Sequence, residues 1–305
     1  GGHAGAAGAA RHHGGDAIAE EGAAHVGIEV AAGHRADRLE VAEVFGHEDD
    51  RDRRDQGHRM QVEYRRGEIG QAEPGRLRES AEIDGFAEAG AIVVGCARSV
   101  ARAEAVAGEL RAGGYETMAI EADVTRPEDC ERLVAQAVGR YGRLDILVCN
   151  AGINVKKKAI DFTASEFDTV IAGNLKAYFL SAQAAARQFI RQGKGGAIVM
   201  NSSNASVAAF DDLGPYCAAK GGIDMLVRAL ASEWGPHGIR VNAFNPGYTN
   251  HSMTEEGQAY LAAASRDIIA RTPLRRMADM REMVGPEVAT VLRMGLEIYA
   301  GEEGG

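Results

Sequence analysis

Tyr216 and Lys220 stand four residues apart in the segment GPYCAAKGGIDML. On a helix, residues at this spacing share one face, so the phenol and the ammonium can lie side by side. A free tyrosine has a pKa of about 10 and is a poor base near neutrality, but a nearby ammonium favours the phenolate. The pair can therefore act as one proton-transfer device. The alternative interpretation is an amphipathic helix with a rim tyrosine and a solvated lysine.

Polar or small residues also stand where three apolar runs end and where one helix starts. Ser203 closes the run AIVMNSS, thirteen residues before Tyr216, and Asn174 lies at a predicted helix start in AGNLKAYF. Asn150-Ala151-Gly152 and Asn245-Pro246-Gly247 each end another run. Because ligands of doubly wound sheets bind beyond the carboxyl ends of the strands, these residues are predicted to surround one site.

Strands and helices that could position these residues alternate from about Gly85 onward. Short apolar runs predict buried strands, and patterns with a period of 3.6 predict helices between them. This alternation predicts an α/β fold, a doubly wound parallel sheet of Rossmann type with an atypical N-terminal segment. The predicted strands are Ala91–Ala97, Thr117–Val124, Asp145–Gly152, Gly196–Ser203 and Ile239–Gly247, and the predicted helices are Val100–Ala112, Pro127–Tyr141, Leu175–Gln192 and Tyr216–Trp234.

Composition excludes several classes of partner. The 305 residues are 45% hydrophobic and 26% charged, as in ordinary globular proteins, and the formal net charge of −10 argues against nucleic acid or an anionic membrane. No apolar run approaches the roughly 18 residues of a membrane span, and no charged-then-apolar leader opens the chain. Four scattered cysteines and irregularly spaced histidines indicate a cytoplasmic protein with reduced thiols and no metal site.

The chain divides into two unlike parts. Residues 1–84 form an unassigned polar segment, expected to be disordered or frame-shifted, and residues 85–305 form the Rossmann-type domain, with all motifs within 85–286. A first strand and a glycine-rich phosphate loop should precede Gly85, yet residues 72–79 read AEPGRLRE and no G-x-x-x-G-x-G spacing occurs before that point. A missing central strand would leave two strand edges unpaired.

Two explanations for this front segment stay open. One is that residues before about Ile83 and after about Pro286 derive from a wrong reading frame, since the expected patterns stop abruptly at both places. The other is a genuine N-terminal extension that rebuilds the missing strand unconventionally. The first predicts that resequencing the source DNA finds a frame change at each junction.

From Gly85 to about Pro286, the sequence resembles the short-chain dehydrogenase/reductase family of single-domain type. The resemblance rests on Asn150-Ala151-Gly152, Asn174, Ser203, the Tyr216–Lys220 pair and Asn245-Pro246-Gly247 as a set. The sequence is most similar to members that are gluconate or glucose dehydrogenases or 3-oxoacyl reductases. The resemblance implies an oxidoreductase that transfers a hydride between a nicotinamide cofactor and a carbonyl or secondary alcohol, on a sugar acid or an acyl chain.

The resemblance also implies roles for individual residues. Tyr216 would be the general acid and base, Lys220 would lower its pKa and hold the nicotinamide ribose, and Ser203 would orient the substrate oxygen. Asn174 would fix a water that relays protons. The expected cofactor contacts are Arg98, Ser99, Asp123, Val124, Asn150, Ala151, Gly152, Tyr216, Lys220, Pro246, Gly247 and Thr249.

Cofactor choice depends on the end of the second strand. Family members that prefer NAD place Asp or Glu where Ala97 stands, whereas here Arg98 and Ser99 follow an alanine. An arginine can clamp a 2′-phosphate bidentately, so NADP is favoured and NAD is the alternative. The alternative interpretation of Arg98 is a solvated charge that begins the next helix.

Two alternatives to this function stay open, and the resemblance also bears on assembly and partners. The missing phosphate loop favours a non-catalytic cofactor-binding or regulatory protein on the same scaffold, or an inactive fragment. Family members are usually dimers or tetramers, so a homo-oligomer is implied, although the C-terminal text EVATVLRMGLEIYAGEEGG departs from the family pattern. The expected partner is a small-molecule carbonyl or alcohol substrate.

Overall fold

The computed structural model describes residues 29–31, 86–87, 90–250 and 255–278. Six strands form one sheet in the order β3-β2-β1-β4-β5-β6, with all neighbouring pairs parallel except the two that involve β1. The strands are β1 (Glu29–Ala31), β2 (Val93–Ala97), β3 (Thr117–Glu121), β4 (Ile146–Cys149), β5 (Gly196–Asn201) and β6 (Ile239–Phe244).

Helices connect the parallel strands and cover the sheet. Short 3₁₀ turns occur at Ala159–Asp161, Asn204–Ser206 and Gly235–His237, and a π-helical segment spans Ala172–Lys176. No helix within the described ranges has the length and apolar composition needed to cross a bilayer. The helices are α1 (Val100–Ala112), α2 (Pro127–Tyr141), α3 (Ala164–Ile171), α4 (Ala177–Gln192), α5 (Gly214–Trp234) and α6 (Glu255–Arg271).

Both faces of the sheet are buried, which is why the strands read as continuous apolar runs. Val94 packs into one cluster with Leu133 of α2 and Phe189 of α4, whereas Val93 packs into another with Leu110 of α1. Successive residues of a strand therefore serve opposite layers. The predicted doubly wound α/β fold is confirmed.

The central position of the sheet is filled by β1, which runs antiparallel to both neighbours. Glu29 pairs with Gly95 and Val148, and Ala31 pairs with Val93 and Ile146. The chain therefore enters β1 at the carboxyl edge of β2 and β4 and leaves it at their amino edge. Residues 29–31, which belong to the polar segment 1–84, pair with both β2 and β4. The structure therefore corrects the expectation that the facing edges of these two strands are unpaired. Residues 72–79 and the segment after residue 278 lie outside the described residues.

Four of the predicted strands continue too far, and helices α3 and α6 were not predicted. Strands β3, β4, β5 and β6 end two or three residues before their predicted ends, because the last polar and small residues turn away from the sheet at its carboxyl edge, whereas β2 ends at Ala97 as predicted. Helix α3 starts with a capping box in which the Thr163 hydroxyl accepts from the Glu166 amide at 3.2 Å and the Glu166 carboxylate accepts from the Thr163 amide at 2.8 Å. This T-x-x-E signature is visible in the sequence.

Two glycines of the sheet are expected to respond oppositely to a methyl group. A Cβ on Gly95 would meet no described atom within 4 Å and would point into a cavity of about 20 Å³ between β2 and α1. Gly95→Ala is expected to raise the free energy of unfolding by about 0.5–1 kcal/mol, mainly by restricting the unfolded chain. A Cβ on Gly196 would stand 2.5 Å from the ring of Phe189. Gly196→Ala is expected to cost about 1–3 kcal/mol through overpacking.

Urea titration of both variants beside the parent measures these changes. A Gly95→Ala variant that is less stable than Gly196→Ala would contradict the packing described for β2 and β5.

Candidate active site

The predicted proton-transfer pair lies on the first two turns of α5, which starts with Pro215 in its first turn. Lys220 is buried, with 3% of its surface exposed, and its Nζ donates a hydrogen bond to the main-chain oxygen of Asn201 at 2.6 Å. The same Nζ lies 5.5 Å from the ring centroid of Tyr216 and 5.1 Å from that of Tyr178. The structure thus brings the phenol and the ammonium together on one helix face.

Burial dominates the ionisation of both groups. It lowers the pKa of Lys220 from 10.5 to about 7, although the charge of Asp224 opposes this shift. Burial also raises the pKa of Tyr216 above its usual value, and a hydrogen bond from Ser203 partly offsets the rise. The Tyr216 phenol therefore keeps its proton at neutral pH in the cofactor-free protein.

Ser203 follows the end of β5 and joins this pair. Its hydroxyl oxygen accepts from the Ala205 amide at 3.1 Å and its hydroxyl donates to Asn204 Oδ1 at 3.2 Å. The short 3₁₀ turn that it caps holds the hydroxyl beside the Tyr216 phenol. The end of β5 thus supplies the Ser203 hydroxyl and the start of α5 supplies the Tyr216 hydroxyl of the same cluster.

Asn174 lies inside the π-helical segment between α3 and α4, and not at a helix start as expected. Its side chain is fully buried, and its amide nitrogen donates to the carbonyls of Ile153 and Val170, each at 2.8 Å. Its Oδ1 accepts from the Ile153 amide at 3.2 Å. Gly152 permits this approach, because a Cβ there would stand 2.8 Å from Asn174 Oδ1. Asn174 therefore fixes the loop after β4.

The loops after β4 and β6 complete this edge of the sheet. Asn150 Oδ1 accepts from Asn201 Nδ2, which ties the end of β4 to the end of β5. The carbonyl of Pro246 accepts from the Asn204 amide at 2.8 Å. Ala151 and Gly152 are buried and Gly247 is exposed, while Thr249 forms a bridge with Ala278 after α6.

A second, open cleft lies at the ends of β2 and β3. Asp123 Oδ1 accepts from the amide and the hydroxyl of Thr125, at 3.0 and 2.7 Å. Val124 is buried, whereas Arg98 and Ser99 are exposed at the start of α1. The cleft has a volume of about 420 Å³ and is lined by Arg98, Glu121, Ala122, Asp123, Arg126, Asp129 and Arg132.

Two groups beside Tyr216 and Lys220 were not predicted from the sequence, namely the Asn201 carbonyl and Tyr178. The Asn201 carbonyl accepts from both Lys220 Nζ and the Tyr178 hydroxyl, the latter at 3.2 Å. A main-chain oxygen carries no sequence signal. Tyr178 does carry one, since it follows Asn174 by four residues in AGNLKAYF, the spacing of one helix face.

The polar atoms around Lys220 fit the nicotinamide cofactor that this arrangement implies. In the described part of the chain, Lys220 Nζ bonds only to Asn201, so two of its three N–H groups remain for the hydroxyls of a ribose. Asn201 Oδ1 is also buried without a described partner. These atoms fit the nicotinamide ribose, and the open cleft fits the adenosine end. Within residues 29–31, 86–87, 90–250 and 255–278, no glycine-rich turn leads from a strand into a helix.

Known proteins share this chain's sequence and fold. The sequence profile of the short chain dehydrogenase family matches residues 81–260. A 2-dehydro-3-deoxy-D-gluconate 5-dehydrogenase of Dickeya dadantii is 35% identical over 67% of this chain and 79% of that protein. An L-rhamnose 1-dehydrogenase (NAD(P)(+)) of Sphingomonas is 33% identical over 67% and 80% of the two chains. The fold is also similar to the crystal structure of a short-chain type dehydrogenase/reductase from Mycobacterium marinum, with 32% identity and a TM-score of 0.65. The matching part covers 71% of this chain and 85% of the Mycobacterium marinum chain.

The fold, the Tyr216–Lys220 cluster and these matches together define a nicotinamide-dependent oxidoreductase that acts on alcohol or carbonyl groups. The chain belongs to the short chain dehydrogenase family, as the sequence resemblance implied.

Proposed function

We propose that this protein is an NADP(H)-preferring oxidoreductase in which Tyr216, Lys220 and Ser203 handle the proton of a carbonyl or secondary alcohol. The observation that carries the proposal is the burial of Lys220 against Tyr216 at the carboxyl edge of the sheet. When it is bound, a nicotinamide cofactor supplies the hydride for reduction or accepts it in oxidation.

The chain's own residues manage the proton. During reduction the substrate oxygen gains negative charge, and the Tyr216 hydroxyl transfers its proton to that oxygen. Ser203 donates a hydrogen bond to the same oxygen and so stabilises the developing charge. The Lys220 ammonium then stabilises the phenolate left on Tyr216. In oxidation the same bonds form and break in reverse.

Asn174 would contribute as a positioning residue. Both hydrogens of its side-chain amide are committed to the carbonyls of Ile153 and Val170. A relay water near Lys220 would therefore have to be held by Asn174 Oδ1 or by main-chain atoms of the π-helical segment. Asn150, Ala151 and Gly152 would then border the nicotinamide half of the cofactor, with Pro246, Gly247 and Thr249 opposite them.

The preference for NADP(H) rests on Arg98. Its side chain is exposed in the open cleft, whereas Arg126 and Arg132 in the same cleft already pair with Glu128 and Asp129 at 2.7 and 2.6 Å. Among the described residues Arg98 has no such ion pair, so its guanidinium can bind a 2′-phosphate. Asp123 and Val124 would contact the adenine, and Ser99 would add a hydroxyl donor to the phosphate.

Arg98→Ala is expected to weaken NADPH binding about tenfold, the loss of one charge-assisted hydrogen bond, and to change NADH binding by less than about twofold. Titration of the purified chain with each cofactor, followed by nucleotide fluorescence, gives both dissociation constants. Arg191→Ala, at the exposed end of α4, is the matched control. An equal loss for NADPH and NADH would remove Arg98 from the phosphate site.

Saturable NADPH binding by the parent chain is the first requirement of the proposal. Absence of binding to either cofactor would overturn it, whatever the arrangement of Tyr216 and Lys220.

The proposed substrate is a sugar acid or a related polyhydroxylated compound. Support comes from similar proteins, which include a 2-dehydro-3-deoxy-D-gluconate 5-dehydrogenase, an L-rhamnose 1-dehydrogenase and a glucose 1-dehydrogenase. A panel of sugar acids, aldoses and 3-oxoacyl thioesters, each assayed by the absorbance of NADPH at about 340 nm, tests this choice. Turnover of acyl substrates alone would replace the sugar-acid assignment and keep the oxidoreductase.

We propose that the enzyme works in the cytoplasm as a dimer or tetramer. The four cysteines Cys96, Cys130, Cys149 and Cys217 are free thiols, which suits a reducing compartment. Met225 of α5 and Phe179 of α4 are 61% and 37% exposed, and large apolar groups of this kind favour contact with a second subunit. Light scattering of the purified chain gives the number of subunits.

A further inference from the structure

Asp224 lies on α5 one turn beyond Lys220. Tyr216, Lys220 and Asp224 follow one another at intervals of four residues, so all three lie along one side of the helix. Asp224 Oδ2 accepts a hydrogen bond from Asn245 Nδ2 at 3.0 Å. Its second oxygen, Oδ1, is buried and has no hydrogen-bond partner among the described residues.

The partner of Asp224 connects two site loops. Asn245 Nδ2 lies 3.2 Å from the Ser203 carbonyl and 2.6 Å from Ser206 Oγ, both in the turn after β5. Asn245 itself opens the loop after β6, directly before Pro246 and Gly247. One amide therefore joins the turn that carries Ser203, the loop after β6 and the carboxylate on α5. The Asp224 carboxylate is the charged acceptor of this network, and it joins α5 to the two loops.

We infer that Asp224 is a positioning residue, which holds the Ser203 turn and the loop after β6 in register with the helix that carries Tyr216 and Lys220. This inference deepens the proposed function and rests on it, since the groups it aligns are those assigned to proton transfer. The reacting hydroxyls come from two different elements, so their relative placement depends on a cross-link of this kind. Misplacement of about 1 Å can cost up to a hundredfold in rate.

The charge of Asp224 has a second effect on the same helix. Within the described part of the chain, the titratable groups that face Lys220 are Tyr216 and Asp224 on α5, Tyr178 on α4 and Cys149 on β4. Asp224 is the carboxylate among them, and its charge favours the ammonium form against the penalty of burial. Removal of that charge should leave Lys220 neutral over a wider range of pH.

The ionisation of Lys220 can be measured in the cofactor-free chain. The sequence contains six lysines, so labelling lysine with ¹³C at Cε gives six side-chain signals. In Asp224→Asn the midpoint of the Lys220 signal is expected to fall by about half a pH unit or more. Glu233→Gln, which neutralises an exposed carboxylate farther along α5, is the matched control and should leave the midpoint unchanged. An unchanged midpoint in Asp224→Asn would overturn the electrostatic part of the inference.

Positioning is tested separately with Asp224→Ala and Asp224→Asn. The alanine variant removes the acceptor of Asn245, so amide hydrogen exchange in residues 202–207 should speed up and kcat should fall about tenfold with the cofactor KM within about twofold. The asparagine variant keeps an acceptor oxygen, so exchange should return toward the parent rate while the Lys220 shift persists. Parent-like exchange and kcat in the alanine variant would overturn the positioning role.

The exchange and Lys220 measurements need neither cofactor nor turnover. If the parent chain is inactive, the proposed function fails, and these two measurements still decide whether Asp224 aligns the loops and charges Lys220.

Discussion

Tyr216→Phe is expected to reduce carbonyl reduction by NADPH about 10²- to 10⁴-fold, because it deletes the proton that the substrate oxygen must receive. The phenyl ring keeps its packing beside Lys220, whose Nζ lies 5.5 Å from the ring centroid. Cofactor affinity should change by less than about twofold, since Lys220 still bonds to Asn201 and offers its other N–H groups. Initial rates at saturating NADPH, together with the NADPH dissociation constant, measure the two effects.

The matched control is Tyr141→Phe at the end of α2, which removes the same hydroxyl from a half-buried ring outside the site. This control should keep parent activity. Equal rates for Tyr216→Phe and the parent would refute the acid role of Tyr216. A comparable loss in the control would show that the loss reflects folding and not proton transfer.

Sequence patterns predicted the elements that lie within single stretches of chain. The bounds of α1 and α2 match the predicted helices, because Gly113 and Gly142 end them locally and Pro127 starts α2. The predicted strands are also present, although the predictions for β3, β4, β5 and β6 continue two or three residues beyond the observed carboxyl ends. Those residues are mostly polar or small, and only the meeting of the strands at one edge shows that they turn away from the sheet.

The central strand could not be predicted, because nothing in its local sequence requires it. Glu29–Ala31 is a three-residue strand in a polar region, and it pairs with partners more than sixty residues later in the chain. Its position in the sheet depends on the facing edges of β2 and β4, which come together only when the whole sheet forms. Its antiparallel direction is likewise set by tertiary pairing and not by propensity.

The proton-transfer residues were predictable for a different reason. Tyr216, Lys220 and Ser203 carry reactive side chains at spacings that a helix and a strand end convert directly into proximity. Asp224 gave no such signal, since an acidic residue on an amphipathic helix is ordinarily solvated. Its relevance depends on Asn245, which lies twenty-one residues away and reaches it only through the folded sheet.

The buried position of Lys220 implies a conflict between stability and activity, which Lys220→Met should expose. Methionine is unbranched and apolar, so it can fill the space of the lysine stem. The Asn201 carbonyl is not orphaned by the change, because the Tyr178 hydroxyl still donates to it at 3.2 Å. The variant should lose at least about a hundredfold in turnover, since the phenolate of Tyr216 then lacks its counter-ion.

Lys220→Met should nevertheless unfold at a higher temperature than the parent at pH 7. In the folded parent the pKa of Lys220 falls to about 7, whereas in the unfolded chain it stays near 10.5. Between these values the unfolded state binds one more proton, so the parent's free energy of unfolding rises with pH by about 1.4 kcal/mol per unit. The variant lacks this slope, and its advantage should be greatest below about pH 7 and disappear as the pH approaches about 10.

Thermal and urea unfolding of the two proteins from pH 6 to 10 measures this difference. Lys194→Met, which changes an exposed lysine in the turn before β5, is the matched control and should follow the parent at every pH. Parallel stability curves for Lys220→Met and the parent would contradict the lowered pKa of Lys220. A Lys220→Met variant that loses turnover and gains stability would show that the lysine is kept for its charge, although it lowers the free energy of unfolding. The Tyr216 phenol beside it needs that charge to release and recover a proton.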